Sequence, residues 1–437
     1  MVDQAVILAE LAAPAGSRET GDPCRQLLGL GLLQRMVLAL AHGDIGRILV
    51  LVKGEGACLR DACAGDAAWG GPGTEVQLAD AAAAELPLAG EPFLLLGGPL
   101  VFTAALARHL HMLEVDDDRL LVFPPGAGRA APGVRPSAPG FSGLAVCRSG
   151  MFPRLQAALG GEKFAVDLDA FLAAVPPLAI AGHDWVQLRS RDSEKQALRL
   201  LRRSLGKPSD GFFSRHLNRR ISWPISRLLI RLRVSPNQVT LVNLSLGLLS
   251  GWLIGRGGTG PTLAAGLLFQ FVSIFDGCDG EIARLTFRFT TLGARLDNLS
   301  DFVTLVVFFI NLPIGLYAAT ADISYLALGL FMVLTQAVFY LLLLIRIKIS
   351  GLRGNIAEIA RQVQDKGRSA EPSGWMDRLG SRLGFIYRKE FISLYVMACC
   401  LIDRAEVILW TTIILTPLGI GYHVYSGWRL RSKKRNS

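Results

Sequence analysis

The back half of the chain holds six apolar stretches, near residues 238–256, 261–281, 298–318, 323–346, 388–402 and 407–427. Most are close to the roughly 20 residues that a helix needs to cross a hydrocarbon core. Stretches of that length satisfy their backbone polar groups in lipid as helices, so this half is predicted to be an all-α six-helix transmembrane domain over 237–428. The joints after the second and fourth stretches and the tail at 429–437 are basic: Arg284, Arg288 and Arg295, then Arg346, Lys348, Arg353 and Arg361, then Arg429 and Lys433–Arg435. The other joints are short and carry little basic charge. The positive-inside rule then predicts a multi-pass protein of the cell (inner) membrane with both termini and both basic loops cytoplasmic. An even number of spans agrees with that arrangement.

The chain has 437 residues, of which 51% are hydrophobic and 19% charged, with a mean hydropathy of +0.38. Such values suit a membrane protein with a soluble part. Residues 1–193 read as a soluble, Rossmann-like α/β domain. Ala5–Leu8, Ile48–Val52 and Phe93–Leu96 read as buried parallel strands, and Leu32–Ala41 as a helix between them. Gly70–Gly73 and Pro124–Pro139 read as loops. Residues 1–16 lack the basic start of a cleaved signal peptide. Seven scattered cysteines form no C-x-x-C pair, against both a disulfide framework and a zinc site. The net charge of +10 gathers beside the apolar stretches. It points to lipid headgroups and phosphorylated substrates and away from nucleic acid.

Between the halves, residues 194–236 interleave arginines with apolar residues. Ile221, Ile225, Leu228, Leu229 and Leu232 recur at helical spacing. This predicts a basic amphipathic segment on the membrane surface, the alternative being a helix face covering the front domain.

Four carboxylates stand at the joint of the second and third stretches. Asp276 and Asp279 are three apart and Asp297 and Asp301 four apart, so each pair shares a helix face. Gathered charges of one sign at a membrane are costly unless compensated. Oxygen ligands suit two Mg²⁺ or Mn²⁺ ions, which can clamp a pyrophosphate during displacement at phosphorus. Gly280 and Ala283 leave room for a nucleotide, Arg284 offers a fork of donors to phosphate, and Gly293 allows close helix packing. An ion pathway also uses intramembrane carboxylates, but has no reason for Gly, Ala and Arg at these offsets.

The segment Asp276–Asp301 resembles, without departure, the D-x2-D-G-x2-A-R-x8-G-x3-D-x3-D signature of the CDP-alcohol phosphotransferase family. The resemblance implies metal binding by Asp276, Asp279, Asp297 and Asp301, with Asp301 also the general base. It implies a CDP-alcohol donor, a hydroxyl acceptor such as an inositol phosphate, release of CMP, contact with membrane lipids and a homodimer. Pro236–Thr240 resembles the family's P-N-x-x-T entry, which implies nucleotide contacts from Asn237 and Thr240. Ser235 and Pro236 also read simply as a helix start. Arg388, at the start of the fifth stretch, is the leading candidate for an acceptor phosphate.

In the front half, LAAPAGSR resembles the phosphate-cradling loop of sugar-nucleotide nucleotidyltransferases. The junction through residues 206–240 resembles that of fused inositol-1-phosphate cytidylyltransferase and di-myo-inositol phosphate phosphate synthase enzymes. Departures fall where chemistry would occur. Pro14 replaces a loop glycine, Cys24 and Arg25 stand near the place of a lysine, and Gly97-Gly98 stand where an aspartate is expected. Asp184 and Asp192 flank Trp185 without filling the usual late acidic position. The front domain therefore reads as a degenerate nucleotidyltransferase. Two alternatives stay open: a bifunctional enzyme with a working cytidylyltransferase, and a catalytically silent membrane scaffold.

Overall fold

The computed structural model describes residues 2–10, 26–53, 73–80, 91–97, 99–113, 121–123, 144–147, 185–188, 191–206, 214–350 and 389–435. They form two units, one of residues up to 207 together with 285–287 and one of the rest from 208 on. The loops expected at 70–73 and 124–139, apart from Gly73, and Pro14, Cys24, Arg25, Gly98, Asp184, Arg353, Arg361 and Arg388 lie outside the described residues.

The front unit runs β1 (Gln4–Glu10), α1 (Leu32–Ala41), β2 (Arg47–Lys53), β3 (Glu75–Asp80), β4 (Phe93–Gly97), α2 (Ala104–His111), β5 (Leu121–Phe123), β6 (Leu144–Cys147) and α3 (Arg191–Ser204). The sheet order is β3-β2-β1-β4-β6-β5. Its first four strands are parallel, with Val6 beside both Leu49 and Leu95. β6 runs antiparallel to β4 and β5. The three apolar runs are thus the central strands β1, β2 and β4. They are apolar at nearly every position because a parallel sheet is covered on both faces; Leu94, Leu95 and Leu96 are fully buried. α1 places Leu33, Met36, Val37 and Leu40 in the core. Arg35 is buried on the same helix and donates to the Leu27 carbonyl at 2.8 Å. Burial lowers its guanidinium pKa to about 10.

α3 belongs to the front unit. Of the residues expected as a basic segment over 194–236, those from 208 on belong to the second unit. That unit comprises α4 (Arg219–Arg231), α5 (Pro236–Arg256), α6 (Thr259–Thr286), α7 (Thr291–Thr320), α8 (Ser324–Ser350), α9 (Lys389–Leu401) and α10 (Glu406–Arg435). α5 opens on a capping box, Ser235 accepting from the Gln238 amide and Gln238 from the Ser235 amide. Asp322 caps the start of α8, and the Ser324 amide holds its carboxyl below the ordinary carboxylate range.

Every expected span contains a helix. Among the described residues, α5, α6 and α7 are long and apolar enough to cross a membrane. α8 and α10 have 27 and 30 residues, and α9 has 13. α6 and α7, with 28 and 30 residues, continue beyond their apolar stretches through the carboxylate segment.

Polarity in this unit is inverted relative to a water-soluble bundle. Trp252, Phe271, Ile310, Leu334 and Leu418 are exposed, whereas Thr240, Asn243, Gln270, Asp279, Glu281 and Thr304 are buried. An apolar exterior of this kind seeks lipid. α4 follows the same rule. It exposes Ile221, Leu228 and Leu232 and turns Ser222 and Ser226 inward. Both serines donate to Glu281 of α6 at 2.7 Å, and Arg219 donates at 3.1 Å. Glu281→Ala would remove the acceptor of Ser222 and Ser226 and one ion-pair contact of Arg219. It is expected to cost about 3 kcal/mol and to free α4, measured as faster hydrogen exchange confined to residues 219–231.

α5 and α7 pack through small residues. A Cβ on Gly251 would lie 2.7 Å from Val307 Cγ1, and one on Gly255 2.7 Å from Asn311 Oδ1. Gly315 sits against the Ile254 carbonyl with no room for a side chain.

Candidate active site

α6 ends, and α5, α7 and α9 begin, with polar residues that reach one another. Asp276 and Asp301 each stand ten residues from a helix end, about 15 Å along the axis. Asp276, Asp297 and Asp301 each offer a carboxylate oxygen to one group, within 4.8 Å of one another. All the donors are hard oxygens from three separate carboxylates, a set that suits Mg²⁺ or Mn²⁺ and not a soft metal. The residues present thus fit a divalent cation.

Asp279 is not a member of that group. Its carboxylate accepts from Thr240 Oγ1 at 2.6 Å and from the Gly280 amide, and it is buried. Thr240 therefore meets Asp279 in the structure. Thr240→Val would remove a hydrogen bond to a charged group. Asp279 would lose that support, at an expected cost of about 1.5–3 kcal/mol, measured as a lower thermal midpoint in detergent.

Asn237 lies beside Gly293, where an added Cβ would be 2.7 Å from Asn237 Oδ1. Gly293 thus admits the start of α5 against α7. Gly280 leaves space for the Arg284 guanidinium, whose Nη1 would be 3.2 Å from a Cβ there. Ala283 is partly buried on the same helix.

Two residues of the site escape a reading of the sequence. Asn243 donates to Asp276 Oδ1 at 3.4 Å, and its own buried carbonyl oxygen finds no partner among the described residues. Its position three after Thr240 puts both on one face of α5, a signal available in the sequence. Lys389, the first residue of α9, sends Nζ to 3.1 Å from Asp276 Oδ1 and also hydrogen-bonds Asp301. In the sequence its neighbour Arg388 stands out instead.

Residues 233–418 match the sequence profile of the family described as CDP-alcohol phosphatidyltransferase. A "Bifunctional IPC transferase and DIPP synthase" of Rubrobacter xylanophilus is 30% identical over 330 residues, covering 67% of this chain and 73% of the relative. That coverage is too long to lie within the second unit alone. The protein of the same name from Thermococcus kodakarensis is 38% identical over 159 residues, 34% of this chain; the chain spans only 35% of that relative's length. A "Phosphatidylinositol phosphate synthase" of Corynebacterium glutamicum is 40% identical over 81 residues, 18% of this chain and 36% of the relative. Among solved structures, the inositol-1-phosphate CTP transferase from T. maritima aligns with 46% of this chain and 96% of its own, at 13% identity and a TM-score of 0.32.

Proposed function

The chain belongs to the CDP-alcohol phosphatidyltransferase family, and from that premise we propose that it is a membrane transferase passing a phospho-alcohol group from a CDP-alcohol to a hydroxyl acceptor with release of CMP. The observation that carries this reading is the meeting of Asp276, Asp297 and Asp301 from two helices, with Asp279 held alongside by Thr240.

The roles follow from chemistry. Asp276, Asp297 and Asp301, with Asp279 beside them, would hold two Mg²⁺ or Mn²⁺ ions. Bound there, the cations supply positive charge to a pyrophosphate and its developing negative charge. Arg284 would add donors to the phosphates, and Asn237, Gly280 and Ala283 would border the nucleotide. Asp301 would take the proton of the acceptor hydroxyl as its oxygen attacks the β-phosphorus; the bond between the β-phosphorus and the bridging oxygen would break, and CMP would depart carrying that oxygen.

The acceptor we infer is an inositol phosphate, as the family resemblance of the carboxylate segment implies; the name of the Corynebacterium relative, a phosphatidylinositol phosphate synthase, is in keeping with it. Arg388 is the residue we propose to bind its phosphate. Six spans, cytoplasmic termini, a cytoplasmic site and a homodimer complete the proposal. The front unit would serve without catalysis, because β4 ends in Gly97 where a metal-binding carboxylate would be needed.

The test offers CDP-inositol or CDP-diacylglycerol as donor to the detergent-purified protein with inositol phosphate. The pair that releases CMP identifies the donor. CTP with inositol-1-phosphate should yield no pyrophosphate, and its release would restore the bifunctional reading.

A further inference from the structure

Lys389 stands in the middle of the carboxylate site. Its Nζ is 3.1 Å from Asp276 Oδ1 on α6 and hydrogen-bonds Asp301 on α7. Both carboxylates belong to the three-membered group that fits a divalent cation. A single ammonium therefore bridges two of the helices whose charges otherwise repel. The side chains of Asp276, Asp301 and Lys389 are all roughly a quarter to a third exposed, so this salt bridge is neither sealed nor fully solvated.

We propose that Lys389 is the resident counter-cation of the metal-free site, and that it yields its carboxylate contacts when a divalent cation enters. Three features carry the inference. The amine contacts the very oxygen-bearing groups that would ligate the metal. It reaches them on a flexible four-carbon stem, which lets an ammonium swing away where a planar guanidinium would be less free. It also begins α9, so its backbone is fixed while its side chain spans the gap. A point charge of +1 among three carboxylates neutralises only part of their repulsion, and a +2 ion competes for the same oxygens. The consequence is that Lys389 weakens apparent metal affinity while holding the metal-free carboxylates together. The inference rests on the transferase reading for the identity of the cation.

The test measures Mn²⁺ binding directly by electron paramagnetic resonance, without substrate, on wild type and Lys389→Met. The variant is expected to bind Mn²⁺ about tenfold more tightly, since a competing charge is removed. Its thermal midpoint in EDTA should fall below that of wild type, and Mn²⁺ should close the gap. Equal or weaker Mn²⁺ affinity in the variant would overturn the proposal. On the wild-type chain, acylation of the Lys389 amine, followed by mass spectrometry, should rise when Mn²⁺ is added; unchanged labelling would likewise overturn it. Absence of Mn²⁺ binding by wild type would sink the metal-dependent transferase reading itself. Binding that is indifferent to Lys389 would remove only this inference.

Discussion

Asp301→Asn is expected to lower CMP release by about a thousandfold or more while leaving the protein folded in detergent. Two losses combine at this position. The amide cannot accept the hydroxyl proton, and one of three carboxylates in the cation group is neutralised. An amide of the same shape keeps the packing of α7, so the elution profile and thermal midpoint should stay close to wild type. The effect should appear in kcat, because proton removal belongs to the reaction step and not to donor binding. Asp297→Asn, which removes a ligand without removing the base, should be partly rescued by raised Mn²⁺. Asp301→Asn should not be rescued. Activity of Asp301→Asn within tenfold of wild type would exclude Asp301 as the base.

Gly315→Leu should have the largest effect on the fold. Gly315 meets the Ile254 carbonyl of α5 across the seam, and backbone cannot retreat as a flexible side chain can. In lipid, helices associate through close van der Waals contact, with small residues at the contact. Four added heavy atoms would force α5 and α7 apart along the length that ends in Thr240, Asn243 and Asp301. The expected outcome is loss of monodisperse protein on size exclusion, with a cost of several kcal/mol by analogy with severe overpacking. Gly421→Leu, at an exposed glycine where an added Cβ would meet nothing within 4 Å, should be tolerated. A well-behaved, active Gly315→Leu protein would contradict the close crossing of these helices.

The parts legible in the sequence are those where one physical constraint dominates. β1, β2 and β4 can be read because strands covered on both faces are uniformly apolar. The carboxylates can be read because few functions tolerate Asp276, Asp279, Asp297 and Asp301 at the edge of apolar stretches. Helix ends are less legible: α6 and α7 run on through polar residues, so hydropathy stops short of Thr286 and begins late for Thr291. The glycine seam is present in the sequence as Gly247, Gly251 and Gly255 at four-residue spacing, yet hydropathy alone does not weigh it. Lys389 cannot be placed by pattern at all. Its partners Asp276 and Asp301 are distant in sequence, and only the packing of α9 on α6 and α7 brings them together. Glu281 occupies a variable position of the signature, so its bonds to Ser222, Ser226 and Arg219 also emerge only from tertiary structure.

The most direct measurement of the central claim is CMP release by the purified 437-residue chain with CDP-inositol or CDP-diacylglycerol and inositol phosphate, read before and after EDTA and again with Mg²⁺ restored. The account predicts release with one of the two donors, abolished by EDTA and recovered with Mg²⁺, together with a new phosphodiester seen by ³¹P NMR. Release that persists in EDTA, or no release with either donor from protein that binds Mn²⁺, would contradict it and favour a scaffold that keeps its carboxylates without using them.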